Sequence, residues 1–170
     1  MEHDNKTELE TYLSNITNLT TLTKEIINAY KNDIGQITGH LTIPSLVTTI
    51  KQYTFEGCIK LTSVTIPETV EVIEWGAFKR CTGLEKIMIP SKVKEIQNNT
   101  FYRCGKLNTV IIDKSSIMTE IGMNAFNGCV ALTEIKIPST VTMIGKNAFE
   151  GCYTLTKVVL DEQCPKMFIS

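Results

Sequence analysis

The sequence predicts an α/β solenoid, a stack of similar coils with one short strand each, behind a short helical cap. Three features recur together about every 23 residues: an Ile-Pro pair, a phenylalanine, and a cysteine three residues after that phenylalanine. Self-similarity at such a period is typical of stacked repeats, because one unit cannot bury its apolar face alone. The phenylalanines are Phe55, Phe78, Phe101, Phe126 and Phe149, and the cysteines are Cys58, Cys81, Cys104, Cys129 and Cys152.

Residues 1–33 precede the repeats and form the predicted N-terminal capping segment. Apolar residues from Leu9 to Tyr30 recur at spacings of three and four, which indicates helix. The many threonines lower helix propensity, so one long helix and two short helices both fit the pattern. Thr7 and Glu10 have the spacing of a capping box. We expect the segment to cover the open end of the core; the alternative is a partner-binding or oligomerising helix.

Residues 34–170 form the predicted solenoid of about five to six coils. The spacing Leu-x-x-Val/Ile-x-Ile predicts a strand in each coil, and successive strands should lie parallel, about 4.8 Å apart. Proline after the strand ends the ladder because it has no N–H to donate. The predicted strands are 38–43, 61–66, 84–89, 107–112, 132–137 and 155–160.

The periodic positions also indicate what the core contains. Phenylalanine fills the wide part of each coil, and cysteine serves as a small buried hydrophobe. The chain has six cysteines but no Cys-x-x-Cys, so the usual zinc signature is missing and no metal is predicted. Buried thiols are inert, so we expect free, unreactive cysteines rather than disulfides.

The repeat is irregular at two places. The fourth unit carries two extra residues, with Asp113 in place of proline and Met118 at the valine position. This insertion is either a neutral loop or a binding protrusion made by Lys114, Ser115 and Ser116. The last unit places Cys164 at the valine position and Met167 at the isoleucine position but has no further phenylalanine. We expect either a shortened chain or end-to-end contact between two chains.

Composition argues against several classes of function. The net charge of −1 gives no field toward nucleic acid, and no apolar run approaches the length of a membrane span. The polar start has no apolar segment of a secretory signal. A cysteine nucleophile needs a neighbouring base, and the two histidines, His3 and His40, lie away from the cysteine positions. We therefore predict no catalytic residue, no cofactor and no enzyme.

Two stretches carry a resemblance to a known family. Residues 84–90, Leu-Glu-Lys-Ile-Met-Ile-Pro, and 144–152, Ile-Gly-Lys-Asn-Ala-Phe-Glu-Gly-Cys, resemble the leucine-rich repeat of BspA-like proteins, the Treponema pallidum type. The resemblance implies a curved solenoid with its strands on the concave side and no catalytic residues. It also implies a surface or secreted protein that binds host proteins, matrix or other cells, whereas the missing signal segment leaves a cytoplasmic location open.

The outward positions of the central strands are the candidate binding residues. Met88 and Ile111 are apolar where the side chains should meet solvent, and we expect them to lie side by side. Trp75 stands at a position that is polar in most other coils, so it is either packed on a loop or a binding hot spot. We predict binding of a partner protein, or adhesion; the alternative is self-assembly through the ends or the Met88/Ile111 patch. The candidate residues are Lys86, Met88, Thr109, Ile111, Glu134, Lys136 and Trp75.

Overall fold

The structure, a computed structural model, describes residues 8–31, 37–160 and 168–169. Helices α1 (Glu8–Asn15) and α2 (Lys24–Lys31) flank strand β1 (Thr21–Leu22), and strands follow through the described remainder. Two short helices therefore precede the repeats in the described residues, one of the two arrangements that the sequence left open. The further strands are β2 (Gly39–Thr42), β3 (Thr49–Ile50), β4 (Leu61–Thr65), β5 (Val72–Ile73), β6 (Lys86–Ile89), β7 (Glu95–Ile96), β8 (Thr109–Ile112), β9 (Glu120–Ile121), β10 (Glu134–Ile137), β11 (Met143–Ile144), β12 (Lys157–Leu160) and β13 (Phe168–Ile169).

The even-numbered strands β2 to β12 confirm the predicted solenoid with one longer strand per coil. They pair in parallel in the order β2-β4-β6-β8, and β10 pairs with β12. Strands β8 and β10 lie beside each other without ladder pairing. The two extra residues of the fourth unit come between these strands, so the interruption coincides with the one change in repeat length.

A second parallel ladder, which the sequence did not predict, runs through the shorter odd-numbered strands. Its order is β1-β3-β5 and β13-β11-β9-β7. Strand β1 belongs to the segment before the repeats and pairs with β3, so this segment adds one rung to the stack. Strand β13 places Ile169 beside Ile144, at the isoleucine position that the sequence pattern assigns to Met167, and Met167 itself lies outside the described residues. Cys164 lies outside the described residues.

Each coil turns sharply around its phenylalanine, and the turns form a third column of backbone hydrogen bonds. Phe55 N–H donates to Ala77 O at 2.8 Å, and Phe101 N–H donates to Ala125 O at 2.8 Å. Two positions per coil, two residues before and two after the phenylalanine, adopt left-handed backbone. Glycine and asparagine tolerate that conformation best, and they hold most of these positions. The residues are Tyr53, Gly76, Asn99, Asn124 and Asn147 before it, and Gly57, Arg80, Arg103, Gly128 and Gly151 after it.

The core is a stack of identical side chains. Neighbouring phenylalanine rings lie 5.1–5.6 Å apart, centroid to centroid, and within 13° of parallel. The cysteines do more than fill space: the Cys81 thiol donates to Phe55 O at 2.9 Å, and Cys104 donates to Phe78 O at 3.1 Å. The five described cysteines are free, and burial raises the pKa of the Cys104 thiol to about 12. Burial also raises the pKa of the Cys81 thiol, so the Cys81 and Cys104 thiols stay protonated donors at neutral pH.

Helix α1 packs over the first coil. Leu9 and Leu13 are buried in the common core. The Glu10 carboxylate, itself buried, accepts a hydrogen bond from Thr42 N–H at the outer edge of β2. Thr7, the other residue of the predicted capping box, lies outside the described residues. The hydrogen bond of the Glu10 side chain that the structure shows goes to Thr42 of β2.

Candidate functional site

The outward side chains of the longer strands form one continuous surface, called the strand face below. Each of these strands contributes two side chains, which point away from the core because side chains alternate along a strand. Parallel pairing places equivalent residues of most successive coils side by side. One column contains His40, Ser63, Lys86, Thr109, Glu134 and Lys157, and the other contains Thr42, Thr65, Met88, Ile111, Lys136 and Val159.

The centre of the strand face is apolar. Met88 and Ile111 are direct partners in the β6–β8 ladder. Met88 is 44% exposed and Ile111 is half-buried. Lys86 and Thr109 are paired beside them in the same two strands. The structure thus brings four of the predicted residues into one cluster, an apolar pair next to a charge and a hydroxyl.

One end of the strand face is a hydrogen-bonded cluster around His40. His40 Nδ1 lies 2.7 Å from Ser63 Oγ, and Nε2 lies 3.1 Å from Thr65 Oγ1. Serine catalysis needs an acid on the far ring nitrogen to orient the base, but a threonine hydroxyl occupies that place. The sequence did not reveal this cluster, because Ser63 lies a full coil away from His40.

The other end of the strand face is charged. Glu134 pairs with Lys157 at 2.9 Å, and both side chains are about half exposed or more. Such a pair contributes roughly 0–1 kcal/mol to stability. Lys136 is exposed on the same strand as Glu134. The Glu134 and Lys157 charges are therefore available to a partner at little cost in folding free energy.

Trp75 is not part of the strand face, since it follows β5 in the second ladder. Its ring meets Tyr53 edge-on at 4.5 Å, and its Nε1–H donates to Gln52 Oε1 at 2.8 Å. The indole is still 39% exposed and borders a groove of about 540 Å³ with Gln97 and Asn98 among its lining residues. Trp75 is thus both packed and partly open, and it stands apart from the other predicted residues.

The insertion in the fourth unit is a tight turn. The Asp113 carboxylate accepts hydrogen bonds from Ser115 N–H at 2.7 Å and from Ser115 Oγ at 2.6 Å. These two bonds lower the pKa of Asp113. Ser116 is buried and its Oγ accepts from Met118 N–H. Ser116 therefore cannot belong to the alternative of a binding protrusion, whereas Lys114 and Ser115 are exposed.

Among residues 8–31, 37–160 and 168–169, no group of three or more potential metal-ligating His, Cys, Asp or Glu residues comes together. In the same ranges, no helix has both the length and the apolar character that crossing a membrane requires.

Comparison with known proteins identifies related repeats. The sequence matches the family model described as BspA type Leucine rich repeat region, in six copies over residues 25–156. It matches none of the curated proteins with which it was compared. It is similar to the crystal structure of the leucine-rich repeat protein of Treponema pallidum, with 31% identity, a TM-score of 0.67, and coverage of 70% of this chain and 57% of that one.

Two further solved structures have the same architecture. A leucine-rich repeat protein from Bacteroides ovatus has 28% identity and a TM-score of 0.67, over 78% of this chain and 33% of that one. A leucine rich cell surface protein from Faecalibacterium prausnitzii has 29% identity and a TM-score of 0.60, over 84% and 43%. This chain therefore spans between about a third and three fifths of the length of these relatives.

Proposed function

This chain belongs to the BspA-type leucine-rich repeat family, whose members are generally protein-interaction modules, and we propose that it binds a partner protein through its strand face. The observation that carries the proposal is the pairing of Met88 with Ile111 at the centre of that face. An apolar centre with a polar rim is the usual composition of a binding surface. The rim here consists of Lys86, Thr109, Glu134 and Lys136.

The parallel ladder supports binding in a second way. Backbone pairing and a filled core hold the strand-face side chains in one arrangement before any partner arrives. A surface that is already ordered loses little entropy on association, which favours affinity. Trp75 is a second candidate contact, because exposed tryptophan is enriched among binding hot spots. The solved F. prausnitzii relative is described as a cell surface protein, which favours adhesion at a cell surface as the setting.

The test is a matched pair of double variants. A partner isolated with the intact chain is titrated against two double variants, Met88→Ser/Ile111→Ser and Met123→Ser/Ile117→Ser. The second variant is the control, because Met123 and Ile117 are 43% and 49% exposed but lie off the strand face. We expect the first variant to bind at least about tenfold more weakly, as for hot-spot loss, and the second to bind like the natural chain. Both should keep the thermal midpoint, measured by circular dichroism. Equal weakening by both variants, or unfolding of the first alone, contradicts the proposal.

Self-assembly is the second candidate function. Val158 and Leu160 on β12 are 49% and 47% exposed, whereas their paired residues Ile135 and Ile137 on β10 are fully buried. An apolar strand of this kind can pair with another chain. Sedimentation separates the two functions: a stable oligomer that a Val158→Ser/Leu160→Ser variant dissociates favours self-assembly through β12.

A further inference from the structure

Arg80 and Arg103 are the two arginines of this chain, and they occupy the same position in adjacent coils. Each stands two residues after the phenylalanine of its coil. Arg80 N–H donates to Tyr102 O at 2.8 Å, and Arg103 N–H donates to Asn127 O at 2.7 Å. Since these bonds join consecutive coils, the two arginines are one coil apart. The rings of Phe78 and Phe101 in the same coils are 5.6 Å apart.

Both arginines adopt a backbone conformation that does not favour them. Each has φ of 58°, in the left-handed region. The other three coils place Gly57, Gly128 and Gly151 there, since a side chain costs roughly 1–2 kcal/mol in this conformation. Both arginines are also exposed, so core packing does not offset the cost. Strained residues of this kind cluster at sites that bind ligands.

The surroundings leave both guanidinium groups accessible. A side chain at Gly57 would meet nothing within 4 Å, and the stem of Arg103 lies over Gly128, where an added Cβ would be 3.2 Å from Arg103 Cγ. Arg103 lies over the Tyr102 ring, with Cζ 5.2 Å from the centroid, which restricts its orientation.

Glu56 and Glu150, which precede the equivalent Gly57 and Gly151 in other coils, have partners of their own. Glu56 pairs with Lys79 at 3.2 Å and with Lys24 at 3.5 Å, and Glu150 accepts from Asn127 at 2.8 Å. Across the part of the chain that the structure describes, neither arginine forms an ion pair with a carboxylate. The two arginines are therefore exposed, one coil apart, and not neutralised by a carboxylate in the described part of the chain.

We propose that Arg80 and Arg103 together bind one dianionic phosphomonoester group carried by a partner molecule. A carboxylate satisfies a single guanidinium fork and one charge. A phosphomonoester has about two charges near neutral pH and three acceptor oxygens, which match two forks. The near-zero net charge argues for one such group and against a polyanion such as nucleic acid. The site is separate from the strand face and does not depend on Met88 or Ile111.

The test uses the fact that the chain has two arginines. A proton–nitrogen correlation spectrum of arginine Nε–H groups should hold two signals, which Arg80→Lys and Arg103→Lys assign. The probes are inorganic phosphate, acetate, and a short phosphoserine peptide with its unphosphorylated form, all at one ionic strength. We expect both signals to shift saturably and with one affinity for the phosphopeptide at pH 7.5. Acetate and the unphosphorylated peptide should give no saturable shift.

Three comparisons make the result decisive. Affinity should fall about tenfold or more at pH 5, since the second pKa of phosphoserine is about 6. Either lysine variant should lose a similar factor, because lysine keeps the charge but not the fork. Arg80→Gly/Arg103→Gly should abolish binding without lowering the thermal midpoint, which a structural role would lower. The proposal is overturned if the arginine Nε–H signals shift linearly with phosphopeptide concentration, or if only one of the two signals shifts. It is also overturned if inorganic phosphate binds and the phosphopeptide does not.

Discussion

Gly83 shows how closely successive coils approach each other. A Cβ atom at this position would lie 2.3 Å from Ile59 O, a backbone atom of the preceding coil. Real Cβ atoms do not come so near to a carbonyl oxygen, so either coil would have to move. Gly105 is a useful contrast, because the nearest atom to its Cβ would be a Val130 methyl carbon at 3.9 Å, an ordinary contact.

We predict that Gly83→Ala lowers the free energy of unfolding by about 1–3 kcal/mol, the usual cost of forcing atoms into a packed region. Gly105→Ala should leave it unchanged or raise it slightly, because alanine restricts the unfolded chain. Urea denaturation of both variants measures the difference. Equal stability of the two variants would show that the coils can separate at Ile59 at no cost.

Sequence patterns predicted what repeats, including the side-by-side placement of Met88 and Ile111, but missed the side-chain hydrogen bonds between coils. The stacked phenylalanines and the buried, free cysteines follow from their period. The hydrogen bond from the Cys81 thiol to Phe55 O does not follow from the period, since it joins residues 26 positions apart. The left-handed conformation of Arg80 has a signal in the sequence, because Gly57 stands at the same position one coil earlier.

At the scale of elements, the segment before the repeats completes the first coil, and we propose that it is the cap. Leu22 is fully buried and pairs with Ile50 through β1 and β3. Glu10 satisfies Thr42 N–H on β2, an edge strand that would otherwise present unpaired groups. Helix and strand thus cover both ladders at this end of the stack.

Deleting residues 1–30 should therefore leave a protein that aggregates or unfolds, because Leu41, Val47 and Ile50 would lose their cover. Solubility, circular dichroism and dye binding to exposed apolar surface measure the effect. A Glu10→Gln variant is the control: its amide oxygen can still accept from Thr42 N–H, so it should stay folded. Soluble, fully folded protein after the deletion would exclude the cap and favour a partner-binding helix.

The elements that the sequence predicted are those with a residue pattern of their own. The longer strands have alternating apolar positions, and their positions were confirmed within a few residues. Strands such as β3 and β5 contain two residues each, which is too few for any alternation to show. They exist because stacking brings equivalent backbone segments to pairing distance, a property of the assembled coils.

At the scale of the whole molecule, the breaks in the two ladders fall at different levels of the stack. The strand-face ladder is interrupted between β8 and β10, whereas the second ladder is interrupted between β5 and β7. The phenylalanine stack continues unbroken from Phe55 to Phe149 across both levels. Wherever one ladder stops, the other ladder and the ring stack still join the coils.

We predict that the molecule unfolds as one cooperative unit. In a repeat protein, cooperativity requires that each interface between neighbours be strong relative to the single coil. Trp75 is the only tryptophan and reports on its own coil, while far-ultraviolet circular dichroism reports on all strands. We predict that Phe101→Ala lowers the free energy of unfolding by about 3–5 kcal/mol, because it removes the central ring of the stack. The same substitution at Phe149, a half-buried ring at the end of the stack, should lower it by less.

The urea transitions of tryptophan fluorescence and circular dichroism should coincide in the natural chain, with one midpoint and one slope. If the tryptophan transition separates from the circular dichroism transition, the staggered breaks divide the solenoid. In that case neither the rings nor the remaining ladder is sufficient to couple its halves.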